Sequence, residues 1–122
     1  MDLELSERLE EGHAVVELRG ELDISSAASL RERLLDILAD HAHSLVLDLS
    51  RLVFIDSTGL SVLVAAERRA QELGGTLSLV GPQKIVARVL RVTSLDKHFP
   101  IFPTVGEAIL ADSENGPPVA AT

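Results

Sequence analysis

Apolar residues recur along the chain with two periods, and the switches between them mark out the elements. Leu3, Leu5 and Leu9 alternate weakly with polar residues, Glu10-Glu11-Gly12 reads as a turn, and Ala14, Val16 and Leu18 then alternate more cleanly. This predicts an antiparallel strand pair, with Gly20 ending its second strand. Ser25 and Ser26 are candidate N-caps for a helix with Leu30, Leu34, Ile37 and Leu38 on one stripe, closing at His41-Ala42-His43. Leu45 to Leu49 is a short, mostly apolar run that suits a strand buried on both faces, and Val53-Phe54-Ile55 forms a second small cluster. Leu60 to Leu73 is helical in pattern, with Leu60, Leu63, Val64 and Ala70 inward and Glu67, Arg68, Gln71 and Glu72 outward. Gly74-Gly75 then turns the chain into an alternating strand, Thr76 to Val80.

Pro82 suits the first turn of a helix whose apolar stripe is Ile85, Val86, Val89 and Leu90. Thr93 to His98 reads as a polar connection, and Ile101-Phe102, between two prolines, as a very short edge strand. Thr104-Val105-Gly106-Glu107 has capping-box spacing and opens a last helix through about Ala111. Strands alternating with helices predict an α/β fold with a mixed central sheet, because the crossovers make parallel pairs and the opening hairpin does not. One domain over residues 1–112 is expected, followed by a disordered tail over 113–122 that holds Asn115-Gly116-Pro117-Pro118.

Composition narrows the function classes. A chain of 122 residues buries about two-thirds of its surface as one domain, and 46% hydrophobic residues supply the core. Eleven Lys and Arg against nineteen Asp and Glu give a net charge of −8, the wrong sign for a nucleic-acid surface. No apolar run approaches the ~20 residues of a membrane span, and Met1-Asp2-Leu3-Glu4 lacks the features of a signal peptide. Cysteine is absent, which excludes disulfides and thiol chemistry. The expectation is a soluble cytoplasmic domain that binds neither nucleic acid nor membrane.

Catalytic and metal patterns are weak. His41-x-His43 has no third ligand at a supporting spacing, and helix-end histidines are accounted for by the dipole. Ser57 lacks the first glycine of a Gly-x-Ser-x-Gly elbow, and no Walker loop follows Gly74-Gly75. These patterns do not exclude an enzyme, but nothing assembled here resembles one, and neither a metal nor a cofactor is expected.

The informative segment is Phe54-Ile55-Asp56-Ser57-Thr58-Gly59-Leu60, where a buried strand runs into a helix. Capping alone explains one polar residue there. Three in a row exceed that need, and Gly59 early in the helix costs up to ~1 kcal/mol relative to Ala, so close approach by another backbone or a ligand is the alternative. A helix N-terminus also favours a phosphate. Arg19-Gly20-Glu21-Leu22-Asp23 ends the preceding strand and is either a plain turn or part of a site on the same rim.

The markers Gly20-Glu21-Leu22-Asp23, the apolar strand ending in Asp48-Leu49, Phe54-x-Asp56-Ser57-Thr58-Gly59-Leu60, and Gly74-Gly75 before a strand resemble the STAS-domain anti-sigma factor antagonists, over about Leu5 to Leu110. The resemblance implies a single STAS-type domain with helices mainly on one side of the sheet. It implies that the unphosphorylated chain binds a GHKL-type serine-kinase anti-sigma factor and frees a sigma factor. It implies phosphorylation of Ser57 by that kinase, whose ATP and Mg²⁺ are its own, and reversal by a PP2C-type phosphatase. Glu21, Asp23, Asp56, Thr58 and Gly59 would be the partner-binding residues. Thr58 stands where many members have a second serine. The alternative within the family is a non-phosphorylated scaffold subunit of a lipid-transport or stress-signalling complex.

Overall fold

The computed structural model describes residues 2–115. The elements run β1 (Leu3–Glu10), β2 (His13–Leu22), α1 (Ala27–Asp40), β3 (Ser44–Ile55), α2 (Ser57–Glu72), β4 (Leu77–Val80), α3 (Lys84–Val92), β5 (Ile101–Phe102) and α4 (Val105–Asn115). They form one five-stranded sheet in the order β1-β2-β3-β4-β5. The β1–β2 pair is antiparallel and the other three pairs are parallel.

Every parallel strand is laid down beside the one before it, always advancing in the same direction. Right-handed crossovers then place all the connecting helices on one face. The large core bears this out: Val16, Leu18, Leu45, Leu47 and Leu79 of the sheet meet Leu34, Ile37 and Leu38 of α1, Leu63 of α2 and Val86 and Leu90 of α3. Alternation turns Val15, Val46 and Val80 to the opposite face, where Ala108 and Ile109 of α4 cover them in a second, smaller core. β1 is an edge strand, exposed along almost its whole length and studded with charge, which discourages pairing with another chain.

Several boundaries differ from the sequence expectation. β3 is one twelve-residue strand, not a short run followed by a separate cluster. Its register against β2 shifts twice, between Glu17 and Arg19 and between Gly20 and Glu21, each time leaving an extra residue on β3. Those bulges break the alternation around Ser50 and Arg51 and so hide the strand from a period-2 reading. Gly20 does not end β2 but lies inside it at φ +113°, and a Cβ there would stand 2.2 Å from the Asp2 carbonyl oxygen. Pro82 lies two residues ahead of α3, whose N-cap position is Gln83. Half of the capping box forms: Glu107 N–H donates to Thr104 Oγ1 at 3.1 Å, and the Glu107 carboxylate accepts from the Thr104 hydroxyl at 3.4 Å. α4 continues through Asn115, so the segment 113–115 is helical where a tail was expected. The rest of that expected tail, 116–122, lies outside the described residues.

Candidate functional site

The ends of β2 and β3 lie side by side. Leu22 and Ile55 are register partners, and Asp56 N–H donates to the Leu22 carbonyl at 3.2 Å. The two acidic segments singled out in the sequence therefore share one rim of the sheet, as strand ends in a parallel sheet do.

Asp56 is the N-cap of α2. Its backbone is extended (φ −115°, ψ −175°) and its Oδ1 accepts from Gly59 N–H at 3.0 Å. That bond satisfies one of the free N–H groups of the first turn. Ser57 follows as the first helical residue. Its side chain is exposed, and its hydroxyl has no hydrogen-bond partner among the described residues. One turn on, Ser61 Oγ is engaged with the Ser57 carbonyl at 3.0 Å. Thr58 is half-buried and turns into the groove between α1 and α2, beside Ala28, Arg31 and Val62. Gly59 is buried, and the close approach it permits is to this chain itself: a Cβ would lie 2.6 Å from Leu22 Cγ and 3.0 Å from the Leu22 carbonyl oxygen. Of the five expected partner-binding residues, Gly59 is thus the one placed to hold the rim together from beneath.

Asp23 organises the other half of the rim. Its Oδ1 accepts from Ser25 Oγ at 2.7 Å and from Ser25 N–H at 3.0 Å. Ser26 Oγ accepts from Asp23 N–H and donates to the Glu21 carbonyl, each at 3.0 Å. Neither serine therefore caps α1 with its side chain; Ser26 holds the N-cap position but bonds backwards, into the loop. The hydrogen bond from the Ser25 hydroxyl, helped by those from Ser25 N–H and Ser26 and opposed by some desolvation, holds the Asp23 carboxyl below the usual aspartate value.

Sequence patterning missed the apolar part of this rim. Ile24, between Asp23 and Ser25, is 80% exposed, and Phe54, the register partner of Glu21, is 41% exposed. An isoleucine set among turn residues was the available signal. A groove of about 490 Å³ also runs from Ser57 along α2 past Leu60 and Val64 to Arg68, with Thr93 and Leu95 as its far wall. On the same face of α2 as Leu60 and Val64, Glu67 is buried rather than outward: its carboxylate meets His98 Nε2 from the segment between α3 and β5. His43, one of the two helix-end histidines, has Nδ1 3.0 Å from the Leu38 carbonyl oxygen. Among the described residues no group of three His, Asp or Glu side chains is placed to hold a metal, and no helix is long and apolar enough to cross a membrane.

The STAS domain family model matches residues 5–108. This chain belongs to the STAS-domain anti-sigma factor antagonist family. It is 33% identical over 100 residues to the anti-sigma-F factor antagonist RsfB of Mycobacterium tuberculosis, a match covering 80% of each chain. It is 32% identical over 95 residues to the anti-sigma-B factor antagonist of Bacillus subtilis, covering 78% of this chain and 86% of that one. The crystal structure of a putative anti-sigma factor antagonist from Thermotoga maritima superposes with a TM-score of 0.83 at 29% identity, covering 88% of this chain and 92% of that one. An anti-sigma factor antagonist from Mycobacterium paratuberculosis gives 0.81 at 31% identity, covering 90% and 93%. The STAS-type mixed sheet with three helices on one face is therefore the family architecture, not a peculiarity of this chain.

Proposed function

We propose that this protein is a regulated binding protein of the partner-switching kind. Unphosphorylated, it engages an anti-sigma factor through the rim formed by Glu21, Asp23, Asp56, Ser57 and Thr58, and so frees a sigma factor. The anti-sigma factor is a GHKL-type serine kinase. It moves the γ-phosphoryl group of ATP to Ser57 Oγ, leaving ADP and a proton, and the modified chain lets go. A PP2C-type phosphatase hydrolyses the phosphoserine and restores binding. The chain itself catalyses nothing and works in the cytoplasm.

The observation that carries this reading is the state of the Ser57 hydroxyl. It is exposed at the first residue of α2 and has no hydrogen-bond partner among the described residues, while Asp56 is tied up as the cap, Thr58 is half-buried and Ser61 is bonded to the backbone. A phosphate there would be met by the positive end of a sixteen-residue helix. The exposed Ile24 and Phe54 on the same rim supply apolar contact area for a protein partner.

The test is to incubate the chain with each serine-kinase anti-sigma factor encoded in its own genome, with ATP, and to map the phosphate. Labelling on Ser57, lost in Ser57→Ala while complex formation persists, is the expected result. Label on Thr58 or Ser61 would overturn the assignment. Stable binding without any labelling would point to the scaffold role instead.

A further inference from the structure

The face of the sheet away from α1, α2 and α3 is covered by one helix only. α4 seats Ala108 and Ile109 on Val15, Val46 and Val80. Beside that small core, against β4 and β5, a cleft of about 220 Å³ remains between helix and sheet. Pro100, Phe102, Ala108 and Ala111 line it with apolar groups, and Thr76, Ser78 and Asp112 supply its polar groups. Thr76 and Leu77 are at the start of β4, whereas Ser57 follows the end of β3, a parallel neighbour; the cleft and the serine rim are therefore at opposite ends of the sheet.

Two groups in this cleft are unspent. Ser78 is only 8% exposed, and its hydroxyl has no hydrogen-bond partner among the described residues. The residue is buried but its oxygen keeps access to the cleft, which leaves its hydrogen-bonding capacity open to a ligand. Asp112 is fixed in place by His13, whose Nε2 lies 2.6 Å from its Oδ2. His13 is itself 7% exposed and has its other ring nitrogen 2.9 Å from the Glu11 carbonyl oxygen. The second carboxylate oxygen of Asp112, Oδ1, accepts no hydrogen bond from the described residues. Among the described residues no lysine or arginine lines the cleft.

We propose that this cleft is a binding site for a small organic cation, an ammonium group carried on an apolar body. The carboxylate oxygen is acceptor-only and takes an N–H, while the Ser78 hydroxyl provides a second, adaptable contact. The apolar wall holds the body of the ligand, the usual division of labour in a small-molecule pocket. A cavity of ~150 Å³ accepts a benzene ring, so about 220 Å³ has room for a ring with a short ammonium arm. A carboxylate ligand would meet the like charge of Asp112 in this lining, and the net charge of −8 draws cations to the chain. The site is independent of the reading of Ser57.

The probe is phenethylamine, with phenylacetate as the partner of similar shape and opposite charge, each titrated into the isotope-labelled full chain by NMR. Phenethylamine should give saturable shifts at Ser78, Phe102, Ala108 and Ala111 and leave the Ser57 loop unmoved; phenylacetate should bind at least tenfold more weakly. Asp112→Asn should weaken phenethylamine at least tenfold. Because that change also takes the charge from the His13 pair, Ala111→Leu is the second variant: it fills the cleft, keeps Asp112 and His13, and should abolish binding at an unchanged melting temperature. Absence of saturable shifts, equal binding of phenylacetate, or undiminished binding by folded Ala111→Leu would each overturn the proposal.

Discussion

Leu22 and Gly59 stand so close that one added carbon on the glycine would lie 2.6 Å from Leu22 Cγ, with Ile55 Cγ1 at 2.9 Å and the Leu22 carbonyl oxygen at 3.0 Å. The contact clamps the first turn of α2 onto the end of β2. It thereby fixes the distance between the Asp56-Ser57 half of the rim and the Asp23 half.

Gly59→Ala should therefore lower stability. Alanine gains up to ~1 kcal/mol in helix propensity, but overpacking against backbone and two side chains costs about 1–3 kcal/mol, so the net effect is a loss. The expected result is a melting temperature several degrees lower, with NMR shifts at Leu22 and Asp23 as well as at the mutated turn. A variant that melts like the parent but binds its partner poorly would show instead that the glycine faces the partner.

A second expectation concerns the Asp23 loop and acid. The Asp23 carboxyl is held below its ordinary value of 3.8 chiefly by the Ser25 hydroxyl. A depressed folded-state value means that the loop's hydrogen bonds contribute above that ordinary value and are lost as pH falls through the lower, folded one. Carboxyl-detected NMR should therefore find Asp23 titrating below 3.8, and Ser25→Ala should move it upward. An unchanged titration in Ser25→Ala would rule out the hydroxyl as the cause.

Where one periodicity governs an element, that element was legible. The stripe of α1, the Thr104 cap of α4 and the strand-helix alternation all follow from spacing, and each is present. β3 was not, because two bulges erase its alternation over Asp48 to Phe54. The rim was legible because parallel strands end on the same side, but its internal wiring was not. Gly59 is a close-approach glycine whose neighbour is Leu22, a contact set by tertiary packing and absent from local spacing. Ser25 and Ser26 look like caps, yet the Glu21 carbonyl and the Asp23 carboxylate compete successfully for their hydroxyls. Spacing on α2 turns Glu67 outward, but the polar segment after α3 closes over the helix and buries it, a tertiary contact that local spacing does not carry.

That last pairing carries its own expectation. The Glu67 carboxylate is 8% exposed and His98 is its hydrogen-bond partner, with the His98 ring edge-on to buried Phe99 at 5.0 Å. His98→Ala leaves a buried acceptor unpaired, at a cost of about 1–3 kcal/mol. Glu67→Gln in that background removes the charge while keeping the shape, and should restore part of the loss. Thermal melts of the two single variants and the double variant give the coupling directly. If His98→Ala melts like the parent, the contact does not hold the segment after α3 in place.

The final expectation is that phosphorylation of Ser57 acts by charge and bulk at the rim and leaves the fold alone. Ser57 is exposed at the first residue of α2, where the helix dipole and remaining free N–H groups favour a phosphate. Asp56 adds a like charge beside it, but its Oδ1 is already held by Gly59 N–H and solvent screens the rest. Water is excluded only when a partner docks. Two phosphate charges ~6 Å from a partner carboxylate then cost about 5 kcal/mol at an effective dielectric of 20. Half of that is nearly a hundredfold in affinity, at ~1.4 kcal/mol per decade. Moving the chain from −8 to about −10 is too small a change to disturb the sheet at large. Ser57→Asp should accordingly bind the kinase far more weakly while its backbone NMR spectrum stays near-identical outside the Ser57 loop and the adjoining Asp23 turn. Shift changes spread across β3 and β4 would refute a local mechanism, and unaltered affinity would refute the switch itself.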